Sequence, residues 1–265
     1  MPERMVREIL LFALTYPELS TKYRESACTG GVFMDTHEWC RIYPLPVRYL
    51  EKRVHRWDVI SARVWQEPKR DSRPESWRID AESIRVVRRV GTGRGRPPDW
   101  EERRAMVLRP GRTFQSLEAL KAQQSADGTS LGIIRPRAGA IVHLTRRTDA
   151  EHREWRDKLH LVVDQADLLP GALRPPELEY LPNRIKIRFA CEGARCRGHD
   201  CVVLDWEICE LARRKGWDAA QCKLESLLSA DYDTQFFMGN FNGHRKSFGI
   251  VGLWYPKLAR QGRLF

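Results

Sequence analysis

The stretch that decides the fold holds four of the chain's seven cysteines and one of its seven histidines: Phe189-Ala-Cys191-Glu-Gly-Ala-Arg-Cys196-Arg-Gly-His199-Asp-Cys201-Val-Val-Leu-Asp205-Trp-Glu207-Ile-Cys209. Thiolate and imidazole groups are the ligands that zinc prefers in proteins. Their crowding in one short stretch therefore indicates a bound metal that fixes the backbone around it.

Regular elements are expected on both sides of this stretch. Ile185, Ile187 and Phe189 alternate with basic residues, which predicts a strand with one apolar face. Leu204 and Ile208, followed by further apolar residues at the same spacing, predict a helix. The Cys/His cluster is thus predicted to lie between a strand and a helix, in an α+β chain.

The predicted metal ligands are Cys191, Cys196 and His199, with Cys201 as the fourth, and the predicted metal is zinc. The usual repeated Cys-x2-Cys pair is absent, so two alternatives stay open. An iron–sulfur cluster would use Cys191, Cys196, Cys201 and Cys209. In the second alternative no metal is bound: Cys209 faces inward from its helix as a small hydrophobic residue, and the other cysteines are free thiols. Disulfides are not expected, because the cysteine count is odd and no secretory leader is recognisable.

The composition indicates a polyanionic partner. The chain of 265 residues has a formal net charge of +11, most of it from arginine, and arginine favours bidentate phosphate contacts. Nucleic acid is therefore the expected partner class, although a basic surface that is merely solvated is the plain alternative. The longest apolar run, Ile9–Leu14, is too short to span a bilayer. We therefore expect a cytoplasmic protein with no membrane partner; the sequence names no protein partner.

The first part of the chain is predicted to be β structure. Gly30–Met34 and Trp39–Pro44 flank a polar turn and predict a hairpin, and His55–Trp65 predicts a further strand. Pro44 predicts that its strand is an edge or ends there. Short strands with turn signals favour small antiparallel barrel-like units of the OB or SH3 type, with helices inserted between them.

The domain division follows from a glycine- and arginine-rich segment, Gly91–Pro98, that is typical of a linker. We predict a barrel-like domain at 1–90, a linker with short helices at 91–128, and a second α+β domain with the Cys/His cluster at 129–265. Asp99 and Thr113 are the predicted N-caps of the two short helices.

Several familiar catalytic patterns are incomplete. The glycines of 91–98 have the wrong order for a phosphate loop. His37-Glu38 lacks the second histidine of a metalloprotease helix, and His152-x-Glu154 lacks the Pro-Cys-x-x-Cys partner of a zinc deaminase. The sequence therefore does not favour a phosphate loop, a metalloprotease or a zinc deaminase.

Several strings resemble blocks of uncharacterised prokaryotic proteins described as carrying two OB-like barrels. They include Trp39-x-Arg41-Ile-Tyr-Pro44, Ser130-Leu-Gly-Ile-Ile-Arg-Pro136, Cys196-x-Gly-His199 and Asp205-Trp-Glu207. The resemblance spans most of the chain. It implies association with nucleic acid in bacterial or phage genome conflict, and it carries over no catalytic residue.

The sequence is compatible with two functions. In the first, the chain binds nucleic acid and its zinc is structural; exposed aromatics such as Trp39 and Tyr43 would stack on bases. Six arginines would contact phosphates: Arg24, Arg41, Arg48, Arg73, Arg135 and Arg137. In the second, the chain is a metal-dependent nuclease or other hydrolase with Asp205 and Glu207 as catalytic candidates. Their simpler interpretation is an N-cap at Asp205 and a first-turn acid at Glu207.

Overall fold

The structure is a computed structural model of the chain. It describes residues 3–20, 24–45, 54–91, 98–167, 178–193 and 196–258, apart from the side chains of 24–26 and 162–167. Residues 92–97, most of the glycine- and arginine-rich segment Gly91–Pro98, lie outside these residues. The chain is an α+β protein with a closed barrel and a Cys/His group near a strand and a helix, so the predicted fold class is confirmed.

The first half forms a closed five-stranded barrel. Its strands, in sheet order, are β1 (Met5–Leu14), β3 (Arg24–Phe33), β4 (Trp39–Leu45), β6 (Ser76–Ile79) and β5 (Asp58–Trp65), and β5 pairs again with β1. Two more strands are attached outside the barrel, β2 (Glu18–Ser20) on β3 and β7 (Arg85–Arg89) on β5. Closure leaves no free edge among these five strands, which removes the risk of edge pairing with another chain.

The apolar run in β1 is continuous because both faces of the strand are buried. Ile9 and Leu11 point into the barrel core, whereas Leu10 and Phe12 join a second core that reaches the other half of the chain. That second core includes Phe237 and Trp254 from the C-terminal strands. A strand covered on both sides shows no alternation in its sequence. β1 therefore joins the barrel to the rest of the molecule.

The hairpin predicted at 30–44 is confirmed as β3 and β4. Of the two alternatives predicted at Pro44, β4 does end close by, at Leu45, but it is not an edge strand. It pairs with β3 on one side and, in parallel, with β6 on the other. The β4–β6 ladder contains only Arg41 and Ile42. Pro44 lies beyond it, so its missing N–H removes no bond from that ladder.

The second half contains two open sheets and five α-helices among the described residues. One sheet has the order β10 (Ile141–Arg146), β11 (Asn183–Phe189), β12 (His199–Val202). The other has the order β14 (Phe248–Trp254), β13 (Gln235–Asn240), β9 (Leu131–Ile134), β8 (Thr113–Phe114). The helices are α1 (Trp100–Val107), α2 (Leu117–Asp127), α3 (Asp149–Asp167), α4 (Trp206–Lys215) and α5 (Trp217–Leu227).

The helix caps agree only partly with the sequence. Asp99 caps α1 by accepting from the backbone N–H groups of Glu101 and Glu102, as predicted. The predicted cap of α2 is wrong: Thr113 belongs to β8, and Ser116 is the N-cap, accepting from the N–H of Ala119. No helix in the described part of the chain is long and apolar enough to span a bilayer.

Candidate metal centre and nucleic-acid interface

Four side chains converge beside β12. The ligand atoms of Glu118, Cys191, Cys196 and His199 all lie within 4.8 Å of one another. The Cys196 Sγ is 3.2 Å from His199 Nε2, and that nitrogen is 3.4 Å from Glu118 Oε1. The structure thus brings together three of the four predicted ligands. It adds one, Glu118, that the sequence analysis missed.

The fold positions this group through the end of one strand and the start of the next. Cys191 follows β11 and is held by an isolated bridge to Pro136, while His199 opens β12 opposite Phe189. Cys196 lies in the loop between them, where its Sγ accepts N–H groups from Cys191 at 3.1 Å and Gly198 at 3.4 Å. Gly198 has φ +94°, a conformation open mainly to glycine, so it permits the turn into β12.

The spacing of the group fits a tetrahedral metal. Ligands at about 2.0 Å for nitrogen and 2.3 Å for sulfur, arranged tetrahedrally, are separated by about 3.5 Å. The observed separations around His199, 3.2 and 3.4 Å, are close to that value. Cys191 is fully buried and Glu118 is exposed, so the group spans from the core to the surface. These four side chains could hold a metal ion.

Burial controls the protonation of the group. It raises the pKa of the Cys191 thiol to about 12, so this thiol keeps its proton unless a cation lies beside it. Burial also lowers the pKa of His199, against the opposing effect of Glu118. A low histidine pKa favours the neutral imidazole, which is the form that binds metal.

Two of the predicted cysteine ligands lie elsewhere. Cys201 is buried on β12 opposite Ile187, and Cys209 is buried on α4 with its Sγ 3.9 Å from the carbonyl oxygen of Val203. In the part of the chain that the structure describes, neither belongs to the group within mutual reach. That group contains two cysteines, one histidine and one glutamate, a donor set that suits zinc better than an iron–sulfur cluster held by four thiolates.

The catalytic candidates form an ion-pair cluster. Asp205 is the N-cap of α4, as its simpler interpretation predicted, and accepts from the N–H of Ile208 at 3.1 Å. The guanidinium of Arg56 is 3.7 Å from Asp205 and 3.2 Å from Glu207. Burial raises the pKa of Asp205 to about 6, although Arg56 opposes the shift. Arg56 lies where a catalytic cation would have to bind, so this arrangement does not favour a metal-dependent hydrolase.

The predicted phosphate-binding arginines divide into three sets. Arg48 and the side chain of Arg24 lie outside the described residues. Arg41 and Arg73 are buried, at 2% and 6% exposure. Arg135 and Arg137 are exposed; Arg135 pairs with Asp233 at 2.5 Å, and Arg137 donates to the carbonyl oxygen of Glu192 at 3.0 Å.

The expectation that Trp39 is an exposed stacking residue is wrong. Its ring is buried against Phe12, with centroids 4.4 Å apart, and its Nε1 donates to the carbonyl oxygen of Val107. Tyr43 is half-buried. Trp39 therefore belongs to the core that joins the barrel to the second half.

Three exposed arginines lie on or beside the segments that carry the candidate metal group. Arg137 is tied to the loop that carries Cys191, because its N–H donates to the carbonyl oxygen of Ala190 at 2.8 Å. Arg197 directly follows Cys196 and is exposed. Arg188 lies on the outer face of β11, opposite Asp200 of β12. The segment from Cys191 to His199 carries three of the four side chains, and it also carries Arg197 and is hydrogen-bonded to Arg137.

Comparisons with known proteins give families without an assigned function. Residues 5–109 match a family described as Domain of unknown function (DUF8758), and residues 112–265 match one described as Domain of unknown function (DUF8757). Two domains of unknown function thus stand in tandem. No curated protein matches the sequence. The predicted division at 91–128 stays a prediction.

Two solved structures resemble the chain over its length. They are the tetrameric p202 HIN2 and the p204 HINb domain, each at 9% identity and a TM-score of 0.32. The alignments cover 98% and 97% of this chain and 96% and 97% of theirs. At that TM-score the likeness carries no inference about function.

Proposed function

The chain belongs to the family described as Domain of unknown function (DUF8757), and we propose that it is a nucleic-acid-binding protein with a structural zinc site. The zinc would be held by Cys191, Cys196, His199 and Glu118. The observation that carries the proposal is a metal-ligand group with three exposed arginines nearby: Arg137 hydrogen-bonded next to Cys191, Arg188 on β11, and Arg197 beside Cys196.

Zinc has a structural role in this proposal. Four protein ligands close a tetrahedral site and leave no position for substrate. A bound ion would fix the loop between β11 and β12 by joining α2 to both strands. Cys201 stays a predicted ligand that could replace Glu118, the most exposed member of the group.

Nucleic acid is the proposed partner because of the basic surface at Arg137, Arg188 and Arg197. Arginine binds phosphate through two parallel N–H donors, and each phosphate contact releases counterions from the nucleic acid. The net charge of +11 attracts such a partner over a longer distance. Association in bacterial or phage genome conflict, implied by the sequence resemblance, is a finer part of the same proposal.

The metal is tested by elemental analysis of purified protein. The expected result is one zinc per chain, lost in Cys196→Ser and retained in Cys222→Ser, a control at an exposed cysteine on α5. Protein without zinc, or equal zinc in both variants, would contradict the structural metal.

Binding is tested by fluorescence anisotropy with single- and double-stranded DNA and RNA at several salt concentrations. Replacing Arg137, Arg188 and Arg197 with glutamine should weaken binding and lower the slope of log affinity against log salt by about 2 to 3. A control variant with the same charge change, at Arg63, Arg153 and Arg156, should keep the wild-type slope.

Two results would overturn this assignment. Equal slopes for the two triple variants would show that the loop surface does not contact phosphates. Cleavage that requires Mg²⁺ and is lost in Glu207→Gln would support the alternative, a nuclease.

A further inference from the structure

A cleft with a volume of 590 Å³ lies between the barrel and the second half of the chain. One wall comes from β4, β6 and the loop before β6, and the other from β13 and the turn that follows it. Ligand sites commonly have volumes of about 300–1,000 Å³ and lie between structural units. This cleft is separate from the loop that carries the candidate metal group.

Arg41 forms the floor of the cleft. Its side chain is 2% exposed, and its guanidinium donates to Cys28 Sγ at 2.8 Å and to the carbonyl oxygen of Ser130 at 2.9 Å. Gly239 makes room for it: a Cβ there would lie 3.1 Å from the Arg41 Nη2. The barrel and the second half thus both shape the position of this guanidinium.

The charge on Arg41 has no direct counter-ion among the described residues. Its hydrogen-bond partners are a thiol, the Ser130 hydroxyl and a carbonyl oxygen, and no carboxylate oxygen lies within 4.0 Å. The nearby Glu75 is hydrogen-bonded to Ser130 and paired with Arg112 at 2.8 Å. Buried charges are normally paired. Burial lowers the pKa of Arg41, against the smaller opposing effects of Cys28 and Glu75.

The other cations of the cleft are fixed by acidic neighbours. Arg73 forms a bidentate pair with Asp71 and also donates to the Asn240 carbonyl oxygen. Arg70 and Arg78 share one carboxylate, Glu67. Their guanidinium groups are therefore held in place, and Arg41 is the member whose charge remains open to a ligand.

Aromatic side chains complete the lining. Tyr43, Trp77 and Phe241 are half-buried and face the same cleft. Trp77 is fixed by an edge contact with Phe33, with ring centroids 5.0 Å apart. An arginine-lined floor beneath aromatic walls offers a phosphate group and a flat base their respective partners.

We propose that this cleft binds a nucleotide unit, with its phosphate paired with Arg41 and its base against the aromatic wall. The nucleotide is either a free nucleoside monophosphate or one residue of a single strand. The inference rests on the proposed function only if the nucleotide is a residue of a single strand. The two sources share one chemistry, and the experiment below separates them.

Cys28 provides a reporter for the test because it lines the cleft beside Arg41. Alkylation by N-ethylmaleimide is followed by mass spectrometry at Cys28 and at Cys222, which is exposed on α5 outside the cleft and serves as internal reference. The probes are adenosine monophosphate, adenosine, and a short oligothymidine. Adenosine monophosphate is expected to slow alkylation of Cys28 and to leave Cys222 unchanged.

The pattern of protection at Cys28 shows whether the cleft binds a nucleotide and from which source. Protection of Cys28 by the monophosphate alone indicates a free nucleotide, and protection by both phosphate-containing probes indicates a residue of a strand. If neither phosphate-containing probe protects Cys28 at millimolar concentration, the inference is overturned. The proposed function is tested independently by the anisotropy assay. Protection by adenosine as well as by the phosphate-containing probes would overturn the pairing with Arg41.

A variant tests the same contact by calorimetry. Arg41→Gln should weaken the binding of adenosine monophosphate by about 10- to 100-fold, the loss expected for one charge-assisted hydrogen bond. Arg41→Lys keeps the charge and should retain part of the affinity. Arg63→Gln, at an exposed arginine of β5, is the control and should bind as wild type. If Arg41→Gln does not fold, the alkylation of the wild-type protein decides.

Discussion

The candidate metal group and the Asp205–Glu207 cluster are neighbours in sequence, yet their chemistry differs. Both bring acidic or metal-ligating side chains together. At Asp205 and Glu207 a guanidinium, Arg56, lies within 3.7 Å of both carboxylates. At Cys191, Cys196 and His199, the only ion-pair partner in the described part of the chain is the carboxylate Glu118. The candidate metal group can therefore accept a cation, whereas the Asp205–Glu207 cluster already contains one, the guanidinium of Arg56.

The position of Arg56 is set by the barrel. Its Nε donates to the carbonyl oxygen of Phe12 at 2.8 Å, and a second nitrogen donates to the carbonyl oxygen of Leu253. These bonds join β1 and β14 at the junction of the two halves. A side chain held this way is a fixed counter-charge for the two carboxylates beside it.

The largest expected effect comes from removing that counter-charge. Arg56→Met should lower the free energy of unfolding by about 3–5 kcal/mol, because it leaves a buried carboxylate without its cation. Urea denaturation measures the change. Arg63→Met, which breaks the more exposed pair with Asp80, should cost less than about 1 kcal/mol. Equal effects of the two changes would show that Arg56 is not the counter-charge.

The next effect concerns the metal group. Cys196→Ser should remove the stabilisation by bound zinc, about 2.7 kcal/mol when free zinc is 100-fold above its dissociation constant. Thermal unfolding in zinc-buffered solution measures it, and a chelator should no longer shift the Tm of the variant. Cys222→Ser should keep the response of the wild-type protein to the chelator; loss of the response there would contradict the assignment.

Glu118 gives a smaller effect, since it is the exposed member of the group. Glu118→Gln keeps the size of the side chain but weakens the oxygen donor, so zinc affinity should fall by at least about tenfold. Competition with a zinc-binding dye measures the affinity. Glu225→Gln, on α5, should leave it unchanged. An unaltered affinity in Glu118→Gln would favour Cys201 as the fourth ligand.

A further effect, which appears as a slope with pH and not as a change at one pH, is the pH dependence at Asp205. Its pKa of about 6 in the folded protein exceeds the ordinary value of 3.8, so the folded chain keeps this proton to higher pH than the unfolded chain. The contribution of Asp205 to the free energy of unfolding therefore falls from about pH 4 to about pH 6. Asp205→Asn lacks this slope. Urea titrations of both proteins across that range measure it, and parallel profiles would contradict the shifted pKa.

Local patterns predicted the elements around both clusters. The alternation of Ile185, Ile187 and Phe189 gave β11, and the N-cap at Asp205 gave the start of α4. These predictions succeeded because strand alternation and helix capping depend on residues close in sequence. Of the two alternatives predicted at Pro44, the strand does end close by, at Leu45. The edge position failed because the neighbours of a strand are set by the whole sheet.

The partners of the site residues could not be predicted from local patterns. Glu118 carries no signal in the sequence beyond that of an ordinary first-turn acid. Arg41 was predicted to contact phosphate, but nothing in the sequence showed that it would be buried beneath a cleft. Arg56 was not singled out at all. Each of these contacts joins residues far apart along the chain.

By itself, the sequence determined the α+β class, the hairpins, the basic character and the crowding of cysteine and histidine between a strand and a helix. Only the tertiary structure decided which of those charged or metal-ligating groups has a partner and which does not. The physical reason is that propensity, alternation and capping act over a few residues. The neutralisation of a buried charge, in contrast, depends on whichever distant side chain the closed barrel and the second half bring within reach.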